Sequence, residues 1–180
     1  MTIFEISLYA ILGVIMFISD IVMEALPNIH ILAMFIVTFT VVYRVKALVP
    51  IYVYVFLQGL YSGFALWWVP YLYVWVVLWC IAMLLPRNMK PIRAVVTYAL
   101  VCGLHGLLFG VLYAPMQIIL FGMEWNQLVP WIIAGLPFDV IHCVSNVFSG
   151  TLVLGLVRIL TKLPGAIPIK TKRVKGNEHQ

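Results

Sequence analysis

Long apolar runs cover most of this chain, broken only by a few short clusters of lysine and arginine. A helix needs about 20 apolar residues to cross a hydrocarbon core of about 30 Å. Six stretches meet or approach that length: 4–26, 30–43, 48–66, 69–85, 94–121 and 130–161. The composition agrees, since 64% of the 180 residues are hydrophobic and 9% are charged, against about half and a quarter in a soluble domain. A water-soluble globule, a disordered tail and a nucleic-acid-binding domain are all excluded on these figures. The expected fold is all-α: a polytopic membrane protein with six transmembrane helices.

The basic clusters orient it. Arg44 and Lys46 follow the second stretch, and Arg87, Lys90 and Arg93 follow the fourth. Arg158, Lys162, Lys170, Lys172, Arg173 and Lys175 close the chain. The connectors around Pro27-Asn28, Trp67-Trp68 and Glu124-Trp125-Asn126 contain no Lys or Arg. The positive-inside rule then gives one consistent topology, six spans with both termini cytoplasmic. The net charge of +5 is thus a topology signal. Residues 1–163 are expected to form the membrane domain and 164–180 a basic cytoplasmic tail placed to touch anionic lipid. The second stretch is short for a span. The first lacks the basic n-region and A-x-A site of a cleavable signal peptide. Cys80, Cys102 and Cys143 fall inside spans with no zinc or disulfide spacing and read as small buried residues.

Intramembrane polar groups are costly and usually face a cavity or one another. On this topology Asp20 and Glu24 lie in the outer half of the first span, four residues apart. Asp139, His142 and Asn146, spaced by three and four, form one stripe in the outer half of the sixth. The preceding Gly135-Leu136-Pro137 reads as a break and helix restart, whose free amides would suit an anionic or carbonyl group. Asp139 is then either the cap of the restarted helix or part of a polar cavity; His142 and Asn146, one and two turns further in, favour the cavity.

The fourth span opens with WWVPYLYVW. Trp67, Trp68 and Tyr71 fit an interfacial belt, whereas Tyr73 and Trp75 lie deeper and suit the wall of a pocket for a flat ring. In the fifth span Gly103, Gly106 and Gly110 form a stripe that permits close helix approach. His105 reads equally as a packing histidine or a ligand contact, and Tyr113 and Gln117 fall near the outer end. Ser7, Ala10 and Gly13 form a small-residue series in the first span, open to internal packing or to a partner subunit.

Much chemistry is excluded. No HExxH, G-x-S-x-G, Walker loop, Ser-Lys or Cys-His arrangement occurs, and no voltage-sensor arginines or filter-like loop. A binding or transport subunit leads, and an enzyme is not expected. An intramembrane enzyme using Asp20, Glu24, Asp139 and His142, or a small channel or scaffold, is the alternative.

The segments ALPNIH (25–30), WWVPYLYVW (67–75), GLHGLLFG (103–110) and GLPFDVIHCVSN (135–146) together resemble the substrate-binding S component of an energy-coupling factor (ECF) transporter, over nearly the whole chain. The resemblance implies a six-helix subunit that captures a small water-soluble vitamin or related micronutrient in an outward-facing pocket. It also implies a transmembrane coupling subunit and two cytosolic ATPases as partners, in a bacterial plasma membrane; ATP would be used by those ATPases and no cofactor by this chain. By the family pattern Trp67, Trp68, Tyr71, Tyr73 and Trp75 supply walls, Asp139, His142 and Asn146 polar contacts, and the loop near Asn28 and His30 a lid. The family's helix-one Ala-x-x-x-Ala face is replaced here by Ser7, Ala10 and Gly13. The acidic excess outside favours a substrate with an amine or cationic group.

Overall fold

The computed structural model describes residues 1–26 and 29–168. Among them lie eight α-helices and no strand. Helix α1 (Ile3–Met23) begins in a capping box: the Thr2 hydroxyl accepts the Glu5 amide at 3.2 Å, and the Glu5 carboxylate accepts the Thr2 amide at 3.0 Å. This satisfies two of the free donors at the helix start. Glu5 also accepts Lys46 Nζ at 2.6 Å, which pins α1 to the 3₁₀ turn Arg44–Ala47 between α2 (Leu32–Tyr43) and α3 (Leu48–Ser62).

α2 is the axis of the fold. Eleven of its 12 residues are buried, and it packs against α1, α4 (Tyr71–Leu84), α5 (Pro91–Leu107), α7 (Trp125–Gly150) and α8 (Val153–Leu160). Its length of 12 residues corresponds to about 18 Å, well short of the bilayer core. Enclosure explains the shortness: a helix walled in by protein need not match the hydrocarbon thickness, because its ends meet polar groups of its neighbours. Trp79 Nε1 donates to Arg44 O at 3.1 Å, Arg87 Nε to Val41 O at 2.9 Å and the Ile167 amide to Val42 O at 3.1 Å. These satisfy the carbonyls that a helix C-terminus leaves open. Among the described residues Arg44, with φ +57°, is the non-glycine residue at positive φ, and it turns the chain into α3.

Among the described residues, five helical stretches are long and apolar enough to cross a membrane: Ile3–Met23, Leu32–Ser62, Leu66–Leu84, Pro91–Phe121 and Trp125–Gly150. The second contains two antiparallel segments. Tyr9 meets Tyr43 and Asp20 meets His30, so α2 runs against α1. Gly13 meets Pro50 and Val53, and Asp20 meets Tyr54, so α3 runs with α1. Counting α2 and α3 separately, five to six helical segments of spanning character are present, in a bundle in which the described ends of the chain come together: Gly165 sits beside Tyr9 and Glu5.

On α7 the burial pattern is inverted relative to a helix of a soluble protein. The buried residues of α7 are Asp139, His142, Asn146, Ser149 and Gly150, while Val129, Ile133, Phe138, Val144 and Phe148 are exposed. An apolar exterior around a polar interior stripe is what a lipid solvent selects.

Two breaks lie elsewhere than expected. The restart at Pro137 is absent, since α7 runs unbroken through Pro130 and Pro137. A proline forfeits one backbone bond, whereas ending a helix leaves up to four amides and four carbonyls open; in apolar surroundings the continuous helix costs less. The fifth stretch is the divided one, at Leu108 between α5 and α6 (Phe109–Phe121). The sixth turns at Thr151-Leu152 before α8.

Candidate ligand-binding site

The interruption at Leu108 positions the site. Gly110 is the second residue of α6, so its amide is one of the open donors of a helix start. Asp139 of α7 accepts it with both carboxylate oxygens at 3.2 Å. Asp139 is thus a cap, but of a neighbouring helix rather than its own. A negative group there also complements the dipole of α6.

Glycine is required for this approach. A Cβ on Gly110 would lie 2.6 Å from Asp139 Oδ2, and one on Gly106 would lie 2.8 Å from Asn146 Nδ2 and 2.9 Å from the His142 carbonyl. A Cβ on Gly103 would strike Val147, and one on Gly150 would lie 2.7 Å from Ala99 Cα. The glycine stripe of α5–α6 and the polar stripe of α7 are therefore two halves of one contact. Internal packing, rather than a partner subunit, uses this stripe.

Above the contact, side chains from six segments close into a circuit. Asp20 accepts Tyr54 OH at 3.0 Å and pairs with His30 Nδ1 at 2.9 Å. The His30 ring lies 5.0 Å from that of His142, and His142 lies 5.1 Å from Phe109. Phe109 continues to Trp75 at 5.8 Å, and Trp75 returns to Tyr54 at 6.1 Å. A second circuit shares the Trp75–Phe109 edge: Trp75 to Tyr71 at 5.6 Å, Tyr71 to Tyr113 at 6.3 Å, Tyr113 stacked on Phe109 at 5.5 Å. His105 lies 5.6 Å from Trp75 and shares a 3.2 Å hydrogen bond with Val74 O. Offset and edge-to-face ring pairs at these separations are favourable.

Two polar atoms in this region have no partner: Trp75 Nε1 and Asn146 Oδ1. Both residues are 4% exposed. A buried polar group left unpaired costs about 1–3 kcal/mol, so each is a group that a ligand would satisfy. Among the described residues, no three His, Cys, Asp or Glu side chains converge in a way that could hold a metal.

The expected wall divides. Tyr71, Trp75 and Tyr113 join the aromatic circuits. Trp67 stacks edge-on against Tyr71, and its carbonyl accepts Tyr113 OH. Trp68 points to α3, donating to Val55 O at 2.8 Å, and Tyr73 donates to Leu112 O at 2.6 Å; both tie helices together. Gln117 is half-buried one turn beyond Tyr113. Asn28 lies outside the described residues, while His30 bridges α1 and α7.

Glu24 is exposed and does not join Asp20, and Asp139 is turned to Gly110, so the four acid-base groups of the enzyme alternative are not assembled together. Gly13 is buried against α3, where a Cβ would lie 2.6 Å from Val53 and 2.8 Å from Pro50 O. Ser7 is exposed and Ala10 half-buried. Tyr54 and Phe109 are additions that the sequence did not single out. Both are aromatics within apolar runs, and only Phe109 had a neighbouring signal, the glycines around it.

Compared with family models, with curated proteins and with solved structures, the chain matches none.

Proposed function

We propose that this chain is the substrate-capture subunit of an ATP-driven uptake transporter of the ECF type. It binds a small water-soluble vitamin or related micronutrient with a flat heterocyclic ring, in a pocket open to the outside of a bacterial plasma membrane. The observation that carries this reading is the pair of buried, unpartnered atoms Trp75 Nε1 and Asn146 Oδ1 beside two aromatic circuits. Rings supply stacking and burial for a planar molecule, and a few convergent polar atoms fix its orientation.

The chemistry of those atoms refines the ligand. Trp75 offers a donor and Asn146 an acceptor, and both nearby carboxylates are already engaged: Asp20 with Tyr54 and His30, Asp139 with Gly110. A neutral ring with one acceptor and one donor fits better than the amine or cation that the acidic excess favoured. His30, bridging Asp20 and His142, ties the α1–α2 connector over this region as a lid.

Energy would come from two cytosolic ATPases through a transmembrane coupling subunit, with both termini of this chain in the cytoplasm. For that partner α1 offers its lipid-facing side, where Phe4, Ser7, Ile11, Val14, Ile18 and Val22 are exposed at spacings of three and four. Gly13 is committed to α3 and is not part of that face.

Calorimetry and tryptophan-fluorescence quenching with a vitamin panel test the reading, together with co-purification after co-expression with a coupling subunit and its ATPases. Saturable binding of a neutral heterocycle and recovery of the complex are expected. No ligand from the panel and no complex would refute it.

A further inference from the structure

The opposite end of the bundle carries a second feature, unrelated to the aromatic circuits. Arg44 and Arg87 line a groove of about 580 Å³ with Pro86, Asn88, Ile167 and Pro168. Arg44 Nη2 donates to Met83 O at 2.6 Å. Arg87 donates from Nε to Val41 O at 2.9 Å, from Nη1 to Pro168 O at 3.3 Å and from Nη2 to Ile167 O. These acceptors are all backbone carbonyls. Among the described residues the ion pairs are His30–Asp20 and Lys46–Glu5, so neither guanidinium has a carboxylate.

Among the described residues, two cations therefore share one groove with no counter-charge. Burial and the neighbouring Arg44 charge both hold the Arg87 guanidinium below its ordinary pKa, the response of a cation that lacks an anion. Arg44 Nη1 is buried and has no hydrogen-bond partner. One contact of this pair caps α2, Arg87 Nε on Val41 O, and the others reach Met83, Ile167 and Pro168 carbonyls; none of them uses that Arg44 donor. Buried donors on a cation are normally paired.

We infer that the Arg44–Arg87 groove is a binding site for the phosphate headgroup of an anionic phospholipid. Guanidinium forks match phosphate oxygens in geometry and charge. The depth favours a lipid over a dissolved anion, because the groove lies just past the ends of three apolar helices: α2 ends at Tyr43, α4 at Leu84, and α5 starts at Pro91. The residues flanking it are strongly exposed and apolar, Leu84 at 84%, Ile92 at 82% and Val45 at 61%, and they offer contact for acyl chains. Lys90 and Arg93, close by in the chain, line a second apolar groove with Ile92 and Val96.

The test uses the full chain purified in detergent, with native mass spectrometry and thermal unfolding against added phosphatidylglycerol, phosphatidylcholine or inorganic phosphate. Phosphatidylglycerol is expected to be retained in preference to phosphatidylcholine and to raise the unfolding temperature. Arg44→Gln is expected to weaken that retention about fivefold, the value of one basic group at an anionic surface. Arg44→Lys keeps the charge but loses the fork, and should fall between the two. Equal retention of both lipids by the unaltered protein overturns the site, whether or not the glutamine variant folds. Stabilisation by inorganic phosphate equal to that by phosphatidylglycerol overturns the lipid assignment. Unchanged preference in both variants overturns the role of Arg44.

Discussion

Asp139 on α7 receives the Gly110 amide at the start of α6, with both carboxylate oxygens at 3.2 Å, across the contact between two helices. A cap and a helix–helix contact are here the same interaction, so the two residues should be energetically coupled. Gly110→Ala places a Cβ 2.6 Å from Asp139 Oδ2 and should cost about 1–3 kcal/mol. Asp139→Ala removes both the cap and the obstruction. The double variant should therefore be more stable than the sum of the single losses implies, by about 0.5–3 kcal/mol. Unfolding of the four proteins in detergent measures the difference; strict additivity would show that the contact is incidental.

Glycines of this chain should differ sharply in what they tolerate. Gly106→Ala meets the His142 backbone at 2.9 Å, which cannot swing aside, and a loss of about 1–3 kcal/mol is expected. Gly135 on α7 has nothing within 4 Å of an added Cβ, and alanine there should stabilise by up to about 1 kcal/mol. Thermal unfolding of the two variants should move in opposite directions. Equal shifts would contradict the assigned packing.

Trp75→Phe separates ligand binding from stability. The ring and its contacts with Tyr71 and Phe109 largely remain, while the unpaired N–H is gone. The unliganded protein should be as stable as the parent or more so, because a buried orphan costs about 1–3 kcal/mol. Affinity for the ligand should fall about tenfold, the worth of one hydrogen bond of about 1.4 kcal/mol. Calorimetry with the ligand identified from the panel checks the second arm. A variant that loses stability and keeps affinity would show the N–H to be structural.

His30 holds the connector between α1 and α2 through Asp20 at 2.9 Å and through the His142 ring. His30→Ala or Asp20→Ala should speed amide exchange at Ile29 and Ile31 about tenfold or more, since a hydrogen bond to a charged group contributes about 1.5–3 kcal/mol. Tyr54→Phe removes a different bond to Asp20 and should have a smaller effect there. If all three behave alike, the connector is held by something other than His30.

The sequence carried the apolar, all-helical character and the polar stripe plainly, because each rests on short-range periodicity or on composition. Asp139, His142 and Asn146 at spacings of three and four could only share a face of one helix. What faces them depends on three-dimensional packing. Gly103, Gly106 and Gly110 announced a close helix approach, but only the packing shows that α7 is the helix that makes it. Local residue preference misled at Pro137, where the whole helix outweighed one lost bond. Tyr54 and Phe109 were illegible for a different reason: an aromatic in an apolar run looks the same whether it meets lipid or another ring. The unpartnered state of Trp75 Nε1 and Arg44 Nη1 is likewise a property of surroundings, invisible in the chain itself.

The enclosure of α2 also bears on how the protein is made. As the chain emerges, Leu32–Ser62 is one apolar stretch of 31 residues, long enough to enter the bilayer as a single rod. Most of the wall that later surrounds its first half, α4, α5, α7 and α8, has not yet been synthesised. The groups that close the α2 C-terminus, Trp79, Arg87 and Ile167, also follow it in the chain, the last of them beyond α8. The C-terminus of α2 is therefore closed by residues as far downstream as Ile167, and the central helix is enclosed only after the helices around it have been made.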